Sequence, residues 1–72
     1  MKVLDATGLL CPLPVLRAQK ALREMAAGDL LDVLTTDRAS LQEIPAFCAQ
    51  TGTGLVESEE RDGRYRFRLR KA

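Results

Sequence analysis

The chain has 72 residues, of which 46% are hydrophobic and 29% charged, proportions of one globular domain over residues 1–72 rather than of a disordered tail. Eleven Lys and Arg stand against ten Asp and Glu, so the net charge announces neither nucleic acid nor a membrane surface as a partner. His is absent, which removes imidazole-dependent nucleophile pairs and imidazole metal ligation, and two Cys allow at most one intramolecular disulfide.

Residues 2–6, KVLDA, read as a short strand that runs into a turn at Thr7-Gly8. From Pro12 the pattern turns helical: Val15, Ala18, Leu22 and Met25 recur at spacings of three and four and share one face. Gly28 is the expected stop. LLDVLT, residues 30–35, is apolar on both phases and suits an interior strand. A second helix is expected over roughly 38–51, with Leu41, Ile44, Cys48 and Phe47 on its buried stripe and Gly52 at its end. Ser40 and Glu43 have capping-box spacing, Asp37 is an alternative cap, and Pro45 is expected to disturb or delay this helix.

The last segment is a hairpin around Asp62-Gly63, a pair suited to a two-residue type I′ turn. That register puts Arg66 opposite Glu59 and Arg68 opposite Glu57, and sends Tyr65, Phe67 and Leu69 towards the core. The order β-α-β-α-β-β predicts a two-layer α/β (α+β) sandwich, with a four-stranded mixed sheet and two helices on one face. It argues against a ferredoxin-like arrangement. No apolar run approaches the ~20 residues of a membrane span, and Asp5 and the prolines interrupt any signal-like segment, so a cytoplasmic address is expected.

The stretch GLLCPLP is where chemistry is expected. Pro12 suits the first helical position, which makes Cys11 the expected N-cap or its neighbour. Partial positive charge and unpaired amides at a helix start favour a thiolate, so the Cys11 pKa is expected below its free value, with Arg17 and Lys20 adding a weaker field. Cys is a poor N-cap on structural grounds, which favours a reactive thiol over a small packed hydrophobe. Cys48 reverses that reading, because it lies on an apolar helical stripe. A Cys11–Cys48 disulfide has no supporting spacing.

LDATGLLCPLPVLRAQKAL resembles the N-terminal signature of the TusA/SirA-like sulfur-carrier (sulfurtransferase) family, whose Cys-Pro-x-Pro motif opens the first helix. Asp5 and Gly8 precede the motif as they do in that family, Pro12 and Pro14 complete it, and Lys20 falls at its recurring helix lysine. LLDVLTTD, IPAFCAQTG and DGRYRFRLRK extend the likeness to the whole chain. Arg38 and Thr53 depart from the Pro and His common in the family, which bears on partner choice rather than on the sulfur. The resemblance implies that Cys11 accepts sulfane sulfur as a persulfide and transfers it to an acceptor protein. It implies a cysteine desulfurase or rhodanese-like donor and no cofactor or metal. Arg17, Lys20, Arg66 and Arg68 are expected docking residues. The rivals are a thiol redox or regulatory protein-interaction module without sulfur transfer, and a nucleic-acid module on the arginine strand, which lacks an aromatic stacking platform.

Overall fold

A computed structural model describes residues 1–72. Its elements run β1 (Lys2–Asp5), α1 (Leu13–Arg23), β2 (Leu30–Thr35), α2 (Ser40–Thr51), β3 (Gly54–Arg61) and β4 (Arg64–Arg70). The sheet order is β1-β2-β4-β3, with β1 parallel to β2 and both other pairings antiparallel. This is the expected two-layer sandwich.

The pleat sorts the side chains. Leu31, Val33, Tyr65, Phe67 and Leu69 lie on one face and form a single core with Ala18 and Leu22 of α1 and Ile44 and Cys48 of α2. Fully burying a Leu, Ile, Val or Phe stabilises by about 1.5–3 kcal/mol each, whereas an exposed ion pair contributes about 0–1 kcal/mol. This small core therefore dominates stability. The hairpin register is as expected, Glu57 opposite Arg68 and Glu59 opposite Arg66, with a bulge between Leu55 and Glu57. Asp62 and Gly63 have φ of 53° and 77°, the left-handed pair that a type I′ turn requires.

The helix boundaries depart from expectation. α1 starts at Leu13 with Pro12 as N-cap, so Pro12 is not the first helical residue and Cys11 takes the second of its two expected places, next to the cap rather than at it. It stops at Arg23, well before Gly28, because the amides of Glu24 and Met25 turn back tightly onto the Ala21 and Leu22 carbonyls. Arg23 and Lys20 occupy the last turn, where cations complement the helix dipole. α2 starts at Ser40 behind a tight turn and runs through Pro45. The proline costs one bond, to the carbonyl of the solvent-facing Leu41. Leu41 is exposed rather than core-facing, and Ser40 takes the buried place instead.

Arg66 and Arg68 lie on the open face of the sheet, committed to carboxylates. Arg68 Nε and Nη2 donate to the two oxygens of Asp32 at 2.8 and 3.1 Å. Arg66 reaches Asp32 at 3.5 Å and pairs with Glu57 and Glu59. The guanidiniums cover Asp32, leaving it 6% exposed although no helix covers that face. The Arg68 hydrogen bond, reinforced by both arginine charges, holds the Asp32 carboxyl below its ordinary value against the opposing effect of burial.

A depressed carboxyl contributes stability above its unfolded-state pKa and loses it as pH falls through the folded-state value. Asp32→Asn is expected to lower unfolding free energy by about 1–2 kcal/mol at neutral pH. That is less than a fully buried pair would lose, because both guanidiniums still touch water. Urea titrations across pH should show the deficit shrinking below the ordinary Asp range; a deficit independent of pH would assign it to something other than the ion pair.

Candidate functional site around Cys11

The site is built where the chain leaves β1 and β2, whose parallel pairing brings the two strand-to-helix loops to the same end of the sheet. In the first loop, Asp5 Oδ1 accepts the Thr7 amide at 3.0 Å and the Thr7 hydroxyl at 2.7 Å, an Asx-type turn. These bonds, the side-chain one first, hold the Asp5 carboxyl below its ordinary value. Gly8 follows with φ of 80°, and its N–H donates to Thr36 Oγ1 of the second loop at 2.8 Å. Asp5 and Gly8 thus shape and tie the loop that carries Cys11.

The second loop is fixed in turn. The Ser40 hydroxyl donates its one proton to the Asp37 carbonyl at 2.6 Å, so the 2.6 Å contact between Thr35 and Ser40 is donated by Thr35. Asp37 is thereby locked to buried hydroxyls of β2 and α2. Its Oδ1 accepts the Ala39 amide at 3.3 Å and its Oδ2 accepts the Cys11 amide at 2.7 Å. Ser40 and Glu43 make no capping box, and the N-cap, Ala39, has no side chain that can bond to the first amides of the helix. Glu43 reaches instead across to the cysteine, where the Cys11 thiol donates to Oε2 at 2.7 Å.

Cys11 itself is exposed, and Leu10, Leu13 and Leu16 beside it leave much of their apolar surface in solvent, Leu10 being 68% exposed. Pro14, by contrast, is fully buried and anchors the start of α1 in the core, so the two prolines divide their roles: one packs and one caps. Arg17 and Lys20 project from α1 into solvent. Cys48 is a core residue, 4% exposed, and burial pushes its thiol up. Both cysteines are free.

The electrostatics reverse the sequence expectation of a depressed thiol. Helix starts stabilise anions through unpaired amides, but here Pro12 and Pro14 have none. The Leu13 and Leu16 amides are spent on the Leu10 and Pro12 carbonyls, which leaves only Val15 uncommitted in the first turn. Against that weakened field stand two carboxylates. The hydrogen bond to Glu43 is the largest influence, followed by desolvation and the negative charges of Glu43 and Asp37, and together they push the Cys11 thiol above its ordinary value. The sequence reading gave Asp37 and Glu43 only capping roles at the start of α2 and no part at the cysteine; of these, Asp37 does accept the Ala39 amide in the turn before α2. The Thr-Asp pair after β2 was visible, but nothing in the spacing showed that α2 would aim Glu43 at the sulfur.

A two-layer sandwich that presents one free, exposed cysteine on a Cys-Pro-x-Pro loop defines a narrow class of small thiol proteins. Residues 2–71 match the family described as sulfurtransferase TusA, and the chain belongs to that family. It is 48% identical over 69 residues to the sulfur carrier protein TusA of Allochromatium vinosum, covering 96% of this chain and 91% of that one. With the sulfur carrier protein TusA of Pseudomonas aeruginosa the identity is 45%, covering 96% and 87%. The fold matches the crystal structure of a SirA-like protein from Desulfitobacterium hafniense with a TM-score of 0.86 at 35% identity, over 97% of this chain and 96% of that one.

Iodoacetamide is expected to alkylate Cys11 in the native protein and spare Cys48. Because the Cys11 thiol is raised, its alkylation at neutral pH should be slower than in the urea-unfolded chain, and its rise with pH should come later. A native thiol that ionises before the unfolded one would contradict the geometry.

Proposed function

We propose that this protein is a sulfur-relay protein that takes up sulfane sulfur on Cys11 as a persulfide and transfers it to an acceptor protein, in the cytoplasm and without a cofactor. The observation that carries the reading is an exposed Cys11 whose backbone is tethered to Asp37, in a chain whose relatives are sulfur carriers. A carrier needs one accessible sulfur on a firm mount, since Cys11 Sγ must approach the transferred sulfur in line in the first exchange and depart from it in line in the second.

In the first exchange Cys11 Sγ, having lost its proton, bonds to the outer sulfur of a donor persulfide and the donor thiolate leaves. In the second, an acceptor thiolate attacks the outer sulfur on Cys11 and the Cys11 thiolate is the leaving group. No electrons are gained or lost overall. A cysteine desulfurase or a rhodanese-like protein would suit the first step. Docking is proposed over the exposed leucines and the exposed Arg17 and Lys20 of α1. Arg66 and Arg68 are less suited to it than the sequence suggests, because their charges are already paired with Asp32, Glu57 and Glu59. A dithiol redox reading finds little support, with one cysteine in solvent and the other in the core.

Incubation of the Cys11→Ser protein with a cysteine desulfurase and cysteine is expected to give no gain of a sulfur atom by intact-mass spectrometry, with an unchanged melting temperature. Cys48→Ala should lose about 1 kcal/mol of stability and load normally. Sulfur gain by the Ser variant would reject Cys11 as the carrier.

A further inference from the structure

The persulfide cycle needs a sulfur that ionises, yet the resting site is arranged against ionisation, and Glu43 is the residue responsible. Glu43 Oε2 lies 2.7 Å from Cys11 Sγ and accepts the thiol hydrogen. A thiolate has no hydrogen to offer, so ionisation would exchange this bond for a close contact between two anions. Asp37, bonded to the Cys11 amide at 2.7 Å, adds a second negative charge from the β2–α2 loop. Neither carboxylate takes part in an ion pair, and neither do Arg17 and Lys20 of α1. The charges acting on the sulfur are thus acidic only, one from α2 and one from the loop before it.

We propose that Glu43 is a carboxylate latch that holds Cys11 as a hydrogen-bonded thiol until a Lys or Arg of an incoming sulfur-donor protein engages the Asp37–Glu43 pair. The proposal rests on the carrier reading and specifies the donor it takes: a protein with a cation beside its persulfide and an apolar surface to meet Leu10, Leu13 and Leu16. Charge complementarity is the argument. Two unpaired carboxylates stand next to an exposed apolar patch, and their neutralisation is what the chemistry at Cys11 requires. The cation turns the carboxylates away from the thiol proton, which leaves to solvent as Sγ bonds to the donor's outer sulfur. The donor S–S bond breaks, its electron pair stays on the donor cysteine sulfur, and that sulfur takes up a proton. Sulfur transfer is then confined to the complex, and the free carrier resists alkylation and oxidation, which act on the thiolate.

The test compares wild type with Glu43→Gln, which removes the charge and keeps the shape, and Glu43→Lys, which brings a cation to the same place. Iodoacetamide alkylation of Cys11 is read as a function of pH on the full chain, with thermal melts to confirm folding. The rate at neutral pH should rise from wild type to Gln to Lys, at least about threefold at the first step, and the pH profile should move to lower pH. A Gln variant that alkylates at or below the wild-type rate overturns the latch. The same three proteins are also incubated with inorganic polysulfide and weighed, and the Gln variant is expected to gain sulfur faster. If alkylation follows the expected order but no protein gains sulfur on Cys11, the carrier reading fails and the latch stands. If all three load and alkylate equally, the carrier reading stands and the latch fails.

Discussion

Everything at this site depends on two hydrogen bonds between loops that are far apart in sequence, Gly8 N–H to Thr36 and Cys11 N–H to Asp37. Parallel pairing of β1 and β2 makes them possible, because only parallel strands deliver two outgoing loops to the same end of a sheet. The buried hydroxyl chain from Thr35 through Ser40 to the Asp37 carbonyl then holds the second loop in place. The fold is therefore less a container than a mount. Its thin core secures two strands and two helices, and their loop ends fix where one sulfur stands.

The second determinant is what the prolines remove. A helix start would ordinarily supply amide donors to an anion, but Pro12 and Pro14 replace two of those donors with rings, one capping and one buried. What remains near the sulfur is the carboxylate pair on the opposing loop and helix. The balance of a partly silenced helix end against two close acids falls on the side of the neutral thiol. Exposure and a thiol raised above its ordinary value then coexist in one side chain.

Much of this architecture was legible in the sequence, for identifiable reasons. The hairpin was readable because Asp62-Gly63 can adopt positive φ and because the alternation of Tyr65, Phe67 and Leu69 with arginines fixes which face is buried. The strand β2 was readable from apolar residues on both of its phases, although that reading did not anticipate Asp32 buried beneath two arginines. Helix ends were read less well, since Pro12 serves as cap rather than first residue and α1 tightens and ends before Gly28. The largest miss was electrostatic. Periodicity places Glu43 on α2, but only the packed structure shows that its carboxylate crosses to a cysteine 32 positions away in sequence. Local rules about helix ends predicted a thiolate; a tertiary contact decided otherwise.

The central claim is that the sulfur on Cys11 is in transit rather than an end product. It is tested most directly by loading the protein with isotopically labelled sulfane sulfur, removing the donor, and presenting an acceptor thiol such as glutathione. The account predicts that the label leaves with the acceptor as its persulfide and that Cys11 returns to a free thiol able to be loaded again. Label that stays on the protein, or that sits on Cys48, would contradict it.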